Sequence, residues 1–291
     1  MKKLLYGFYA LIFNISRLLF PLKNNRVAFV SMHNENFRDS LGCVYEKLRE
    51  KGGYDFVLIT RQDLSLSSIP RFIAFFFVKA RLLATAKYVF LNDNFMPMGK
   101  LNFHKDAVIT QLWHAEGAFK KFGLHISQNP DLRKRELEGN KKLSYVVCSG
   151  EGVRDIYAEA FGVKKEQVLP LGAPRADFLF QEKNQKKAEE RLHALYPQTK
   201  GKRVVLYAPT FRDNLERNGD ILKVFDPEEF SSLLGDDYCI MVRLHPQIHA
   251  QADELKNAIS NQEYDVDYSE YKEKFLKYCD GNSTKNLLKI I

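Results

Sequence analysis

Cysteine is scarce and unpaired in this chain: Cys43, Cys148, Cys239 and Cys279 are scattered over 291 residues. Their spacing fits neither a zinc site nor a small disulfide framework. They read as reduced thiols of a cytosolic fold, and neither a metal nor a cofactor is expected. An uncharged apolar run of about 20 residues, the length of a membrane-crossing helix, is also missing. So are an internal repeat and a low-complexity tract, which sets solenoid and disordered classes aside. Hydrophobic residues make up 45% of the chain and aromatics 13%, enough for the cores of two ordinary domains.

Acidic residues are outnumbered, and the formal net charge of +8 with a pI near 9.1 favours an anionic partner. Nucleic acid, an acidic membrane surface and phosphorylated small molecules all satisfy that requirement. Nucleic acid is set aside, because the basic residues are spread among helices without an aromatic stacking platform.

Residues 1–22, MKKLLYGFYALIFNISRLLFPL, carry Lys2 and Lys3 ahead of an apolar run that contains Asn14, Ser16 and Arg17 and closes at Pro21. A small-residue cleavage site is lacking, so a signal peptide does not fit. A helix lying in the membrane interface does. Tyr6, Phe8, Tyr9, Phe13 and Phe20 suit the headgroup boundary, and Lys23 and Arg26 would join the lysines against anionic lipid. An ordinary buried first helix is the alternative.

From residue 26 the pattern alternates strand and helix. Strands are expected at 26–32, 54–60, 87–93, around Val108, at 144–150 and at 167–172, with helices at 39–50, after Pro70 and at 153–161. Interleaving of this kind produces a parallel sheet. The first domain is therefore a doubly wound α/β domain over residues 23–180. The charged segment 181–202 reads as a linker helix, and residues 203–291 as a second α/β domain.

Two clusters carry the chemistry. In VITQLWHAEGAFKKFG (108–123), a β-branched strand delivers the single tryptophan, Trp113, and His114 into a turn at Gly117, followed by Lys120 and Lys121 in what is expected to be a helix start. Open α/β sheets bind ligands at such strand ends. A histidine titrates near neutral pH and can act as a general base, and neighbouring cations suit a phosphate-bearing substrate. Simple packing of Trp113 and His114 at a strand end is the alternative. In the second domain, Pro209 ends a strand at 204–207 so that Thr210 and Arg212 occupy the following loop, while a strand at 239–246 carries Arg243 and His245 at its tip. A hydroxyl, two guanidiniums and an imidazole form a plausible phosphate cradle.

QLWH with GAFKKFG, LGAPRADFL (171–179), LYAPTFRD (206–213) and VRLHP (242–246) resemble, in order and spacing, the CDP-glycerol:polyglycerophosphate glycerophosphotransferases of teichoic acid synthesis. The resemblance implies two facing Rossmann-like domains of GT-B type and a peripheral position on the cytoplasmic face of the membrane. It implies that His114 is the base and that His245, with Thr210 and Arg212, stabilises the donor phosphate. Arg243 ranks below these, and Arg175 and Asp177 read as a structural pair closing the first domain. The implied partners are CDP-glycerol or CDP-ribitol and a lipid-linked teichoic acid primer or polymer, with CMP released. The glycine usual after the first histidine is here Ala115, which widens the reading to a variant subgroup or another polyol phosphate.

Only 45 residues follow Pro246, fewer than the further βα units of a complete donor domain require. The expectation is a shortened C-terminal domain with fewer parallel strands than the first and weak affinity for CDP. Asp267, Tyr268 and Ser269 imitate a nucleotide-site motif by letter, but the polar stretch 261–265 before them is no buried strand. A transferase is the leading reading, and a non-catalytic relative that keeps membrane and acceptor binding is the second.

Overall fold

The computed structural model describes residues 2–32, 37, 39–65, 68–126, 129–208, 233–243 and 278–289. Its contacts divide the chain into one unit of Met1–Gln181 with Tyr268–Ile291 and a second of Glu182–Asp267.

The first unit is built on a six-stranded parallel sheet of order β2-β1-β3-β4-β5-β6. The strands are β1 (Lys23–Ser31), β2 (Asp55–Thr60), β3 (Ala86–Leu91), β4 (Val108–Gln111), β5 (Tyr145–Cys148) and β6 (Val168–Pro170). All six lie where the alternation of apolar runs places them. Side chains alternate between the faces of a strand, and β1 displays the result. Val27 and Phe29 are buried in one layer with Leu41, Val44 and Leu48 of α2 (Ser40–Lys51), while Ala28 and Val30 are buried in the other with Tyr9, Phe13 and Leu83. Burial on both faces explains why the strands read as continuous apolar runs. The side chain of Asp39 accepts from the Leu41 N–H and caps α2.

Helix α1 (Lys2–Leu19) is a two-sided element rather than an interface helix alone. Tyr9 and Phe13 are fully buried, Tyr9 stacked on Phe75 with ring centres 4.6 Å apart and Phe13 edge-on to Phe103 at 4.9 Å. These two rings are therefore withdrawn from the headgroup role expected of them: their side of the helix faces the core. Leu4, Phe8, Leu11, Ile15 and Leu18 occupy the opposite side and are exposed. The helix expected after Pro70 is present as α3 (Ile69–Ala74), a π-helical turn Phe75–Lys79 and α4 (Ala80–Ala84). Phe75 and Phe76 turn into the core, whereas Phe77 and Val78 are exposed. Among the described residues no helix is long and apolar enough to cross a membrane.

The C-terminal segment departs from the expected domain boundary. Residues 278–289, assigned by sequence to the second domain, pack on the first unit through α8 (Ser283–Leu287), with Leu287 fully buried beside Val27, Phe29 and Leu41. Asp177 anchors this segment by accepting from the N–H groups of Ser283 (3.0 Å) and Thr284 (2.7 Å). Gly172 makes the close approach possible: its φ is +85°, and a Cβ there would lie 1.8 Å from the carbonyl oxygen of Tyr278.

The described part of the second unit contains α7 (Glu182–Leu195) and the parallel pair β7 (Arg203–Tyr207) and β8 (Tyr238–Val242). The charged helix expected as a linker thus groups with the second unit. Thr210, Arg212, His245 and the segment 261–269 lie outside the described residues.

The two faces of α1 predict two different mutational costs. Phe13→Ala empties a fully buried site and should lower the unfolding free energy by about 3–5 kcal/mol, whereas Leu11→Ala on the exposed face should change it by less than about 0.5 kcal/mol. Denaturant titration of both variants measures the difference; equal small effects would contradict the burial of this helix.

Candidate active site

Because the sheet is parallel, the carboxyl ends of β1, β3, β4, β5 and β6 share one edge, and β1 and β3 flank the point where the strand order reverses. A crevice at such a point is the usual ligand position in open α/β sheets. Asp39, Asn92, His114, Ser149 and Arg175 follow those five strands in turn.

His114 is exposed, yet its imidazole is held. Nδ1 lies 3.1 Å from the carbonyl oxygen of Asn92. A carbonyl only accepts, so Nδ1 carries the proton and the lone pair of the neutral ring is on Nε2. Asn92 is itself buried, and its side-chain amide donates to the Asp39 carboxylate, whose other oxygen caps α2. The indole of Trp113 lies against the imidazole with ring centres 3.9 Å apart, and is in turn packed on Phe122 at 5.4 Å and Phe161 at 5.3 Å. Trp113 has φ +58°, the sole positive value at a non-glycine among the described residues. A bulky side chain in that region is strained by about 1–3 kcal/mol and tends to mark a functional constraint.

The loop after His114 differs from the expected helix start. Residues 112–122 form an irregular loop that ends in a short 3-10 turn at Gly123–His125, and the next α-helix, α5, is Pro130–Asn140. Lys120 and Lys121 are exposed on this loop. Gly117 is buried at φ +66°, where its N–H donates to Ser149 Oγ (3.0 Å) and the Tyr157 hydroxyl of α6 (Arg154–Phe161) lies 3.1 Å from its carbonyl. Its backbone groups are thus used within the fold, which makes Gly117 a support for the loop.

Arg175 was grouped by sequence with Asp177, and the structure separates them. Asp177 caps α8, while the Arg175 guanidinium donates through Nη1 to the His114 carbonyl and approaches Glu116 through Nε at 3.4 Å. The Arg175 backbone N–H lies 3.3 Å from Ser40 Oγ at the start of α2. A partly exposed guanidinium, paired with a carboxylate, is therefore held on the backbone of the residue that carries the imidazole. Arg243 is exposed just after β8, and its N–H donates to Tyr207 (2.9 Å).

Cysteine nucleophiles find no support here. Burial raises the thiols of Cys43 and Cys279 to about 11 and that of Cys148 to about 12, so all three are protonated at neutral pH. All four cysteines are free.

Sequence reasoning passes over Asp39, Asn92 and Gln111, and it pairs Arg175 with Asp177 rather than with the His114 loop. A usable signal exists for two of them. Asn92 and Gln111 are polar residues that interrupt apolar strand runs at their carboxyl ends, which is where a parallel sheet presents its chemistry.

Comparison with known proteins agrees with this architecture. A family model described as CDP-glycerol:poly(glycerophosphate) glycerophosphotransferase matches residues 11–270. The teichoic acid poly(ribitol-phosphate) polymerase of Bacillus spizizenii is 32% identical over 257 residues, which cover 86% of this chain and 40% of that protein. The teichoic acid ribitol-phosphate primase of the same organism is 30% identical over 263 residues, covering 87% and 67% respectively. The glycerol-phosphate primase of Bacillus subtilis is 31% identical over 222 residues, covering 70% and 56%. The chain thus spans between two fifths and two thirds of the length of these relatives. A structure of the wall teichoic acid polymerase TagF, from a variant soaked with CDPG, superposes with a TM-score of 0.56 at 18% identity, over 89% of this chain and 66% of that one.

Proposed function

Because the chain belongs to the CDP-glycerol:poly(glycerophosphate) glycerophosphotransferase family, we propose that it transfers glycerol phosphate or ribitol phosphate from a CDP-activated donor to a hydroxyl of a membrane-linked teichoic acid acceptor. The observation that carries the reading is the imidazole of His114, oriented by the Asn92 carbonyl at the carboxyl edge of the sheet.

In this mechanism Nε2 of His114 takes the proton of the acceptor hydroxyl as its oxygen attacks the β-phosphorus of the donor. The new phosphodiester P–O bond forms, the bond from that phosphorus to the bridging oxygen breaks, and CMP leaves with the bond's electron pair. Catalysis of phosphoryl transfer rests mainly on positioning and on neutralising charge at the phosphoryl oxygens. His245, Arg212 and Thr210 are assigned that neutralising role, and Arg243 a lesser share of it. The two-domain arrangement of GT-B type, with donor binding in the second unit, belongs to the same proposal. Lys120, Lys121 and Arg175 are placed on the acceptor side, where an anionic polymer would pass. The mixture of ribitol-phosphate and glycerol-phosphate enzymes among the relatives leaves the polyol as either of the two.

Peripheral attachment to the cytoplasmic face of the membrane completes the reading. Phe8 of α1 meets Phe77 with ring centres 5.8 Å apart, so the exposed face of Leu4, Leu11, Ile15 and Leu18 is joined by the exposed Phe77 of the π-helical turn. An exposed apolar surface of this kind marks an interaction site, and the Arg81 guanidinium over the Phe20 ring at 5.3 Å places a cation at its border.

Two measurements test these assignments. In titration calorimetry of the intact chain, a transferase should bind CDP with a dissociation constant within the roughly 1 μM–1 mM range of enzyme substrates, whereas the weaker affinity expected of a shortened C-terminal domain, or no detectable binding, would favour the non-catalytic, acceptor-binding reading. In co-sedimentation with vesicles of anionic phospholipid, the variant Leu11→Ser/Ile15→Ser/Phe77→Ser should be lost from the pellet while the parent chain stays bound. Salt should weaken the parent's binding only in part, since the apolar contribution is not screened. Unchanged sedimentation of the variant would refute this surface.

A further inference from the structure

Gln111 is the last residue of β4 and is buried, with 2% of its surface exposed. A buried primary amide is costly unless both its ends are bonded. Here both are. Nε2 donates to the backbone carbonyl of Asp93 (3.2 Å), and Oε1 accepts from the backbone N–H of Trp113 (2.9 Å). The side chain therefore bridges the two segments that hold His114: the one after β3, whose Asn92 carbonyl receives the imidazole Nδ1–H, and the one after β4, whose Trp113 ring packs on the imidazole.

We infer that Gln111 is a positioning residue for His114, an amide clamp that holds Trp113 in its left-handed conformation and thereby sets the orientation and tautomer of the imidazole. The inference rests on reading His114 as the base. The physical need for a clamp is specific. Trp113 at φ +58° sits in a backbone region that a bulky residue adopts only when its surroundings over-determine it. Two contacts impose that conformation. The ring is wedged among Phe122, Phe161 and His114, and the backbone N–H is held by Gln111 Oε1. Without the amide, the N–H loses its acceptor and relaxation of φ toward negative values would carry the indole away from the imidazole. The amide's other end matters independently. Losing the bond to Asp93 frees the segment that presents the Asn92 carbonyl, so the Nδ1–H tautomer loses the bond that selects it.

Gln111→Met removes both hydrogen bonds at similar volume. Gln111→Glu keeps an acceptor for the Trp113 N–H and removes the donor to Asp93. Two-dimensional nitrogen NMR of histidine-labelled protein, recorded above the imidazole titration, reads the His114 tautomer without any need for turnover. The chain has one tryptophan, so its fluorescence reports Trp113 alone. We expect the parent to show the Nδ1–H tautomer, Gln111→Met to show a mixture with a shifted emission maximum, and Gln111→Glu to show the mixture with near-parent emission. Turnover should fall by about 10- to 100-fold in Gln111→Met at an unchanged donor KM, because misplacing a catalytic group by about 1 Å has that effect. Folded variants that keep the parent tautomer would overturn the inference. Should Gln111→Met not fold, Gln111→Glu decides the matter by the same tautomer signal. Retained turnover in His114→Ala would instead remove the base assignment and leave the tautomer result standing on its own.

Discussion

The hydrogen bond from the His114 imidazole to the Asn92 carbonyl ties the chemistry of this chain to its sheet. An exposed histidine on an irregular loop would sample many rotamers and both tautomers. This one is oriented by a carbonyl fixed to the end of β3, by the Trp113 ring at its face and by the Arg175 guanidinium on its own carbonyl. Each support starts from a different strand end, so the position of one ring reports the assembly of much of the sheet. The C-terminal segment takes part indirectly. Asp177, two residues after Arg175, caps α8, and Gly172 admits the Tyr278 backbone at the base of the same loop.

The fold was largely legible in the sequence because a parallel sheet buries both faces of its strands. Apolar runs that form strands of three to nine residues, separated by turn chemistry, then have few other interpretations. Long-range associations were not legible. The return of residues 278–289 to the first unit depends on hydrogen bonds between Asp177 and backbone N–H groups over 100 residues away. Nothing periodic in the sequence signals such a bond. The expected helix after His114 failed for a related reason: Gly117 takes a left-handed turn secured by Ser149 and Tyr157, contacts that lie outside any local window.

The same contrast applies to the site. The tryptophan and histidine were visible because rare residues in a strand-to-turn context stand out. The supports Asn92, Gln111 and Asp39 carry no rarity and were passed over. Arg175 was read as half of a structural pair because it neighbours Asp177 in sequence, although the two side chains serve different elements. Helix α1 shows how a correct pattern can be given half its meaning. Its aromatic residues and apolar face were apparent, and the helical period then divides them between a core face around Tyr9 and Phe13 and an exposed face around Leu11 and Ile15.

The central claim is that His114 is the base of a polyol-phosphate transfer, and single-turnover kinetics with radiolabelled CDP-glycerol and CDP-ribitol on a lipid-linked acceptor test it most directly. His114→Ala should lower the transfer rate by roughly 100-fold or more while donor affinity, measured in the same samples, stays close to that of the parent chain. Transfer at the parent rate in His114→Ala would contradict the account.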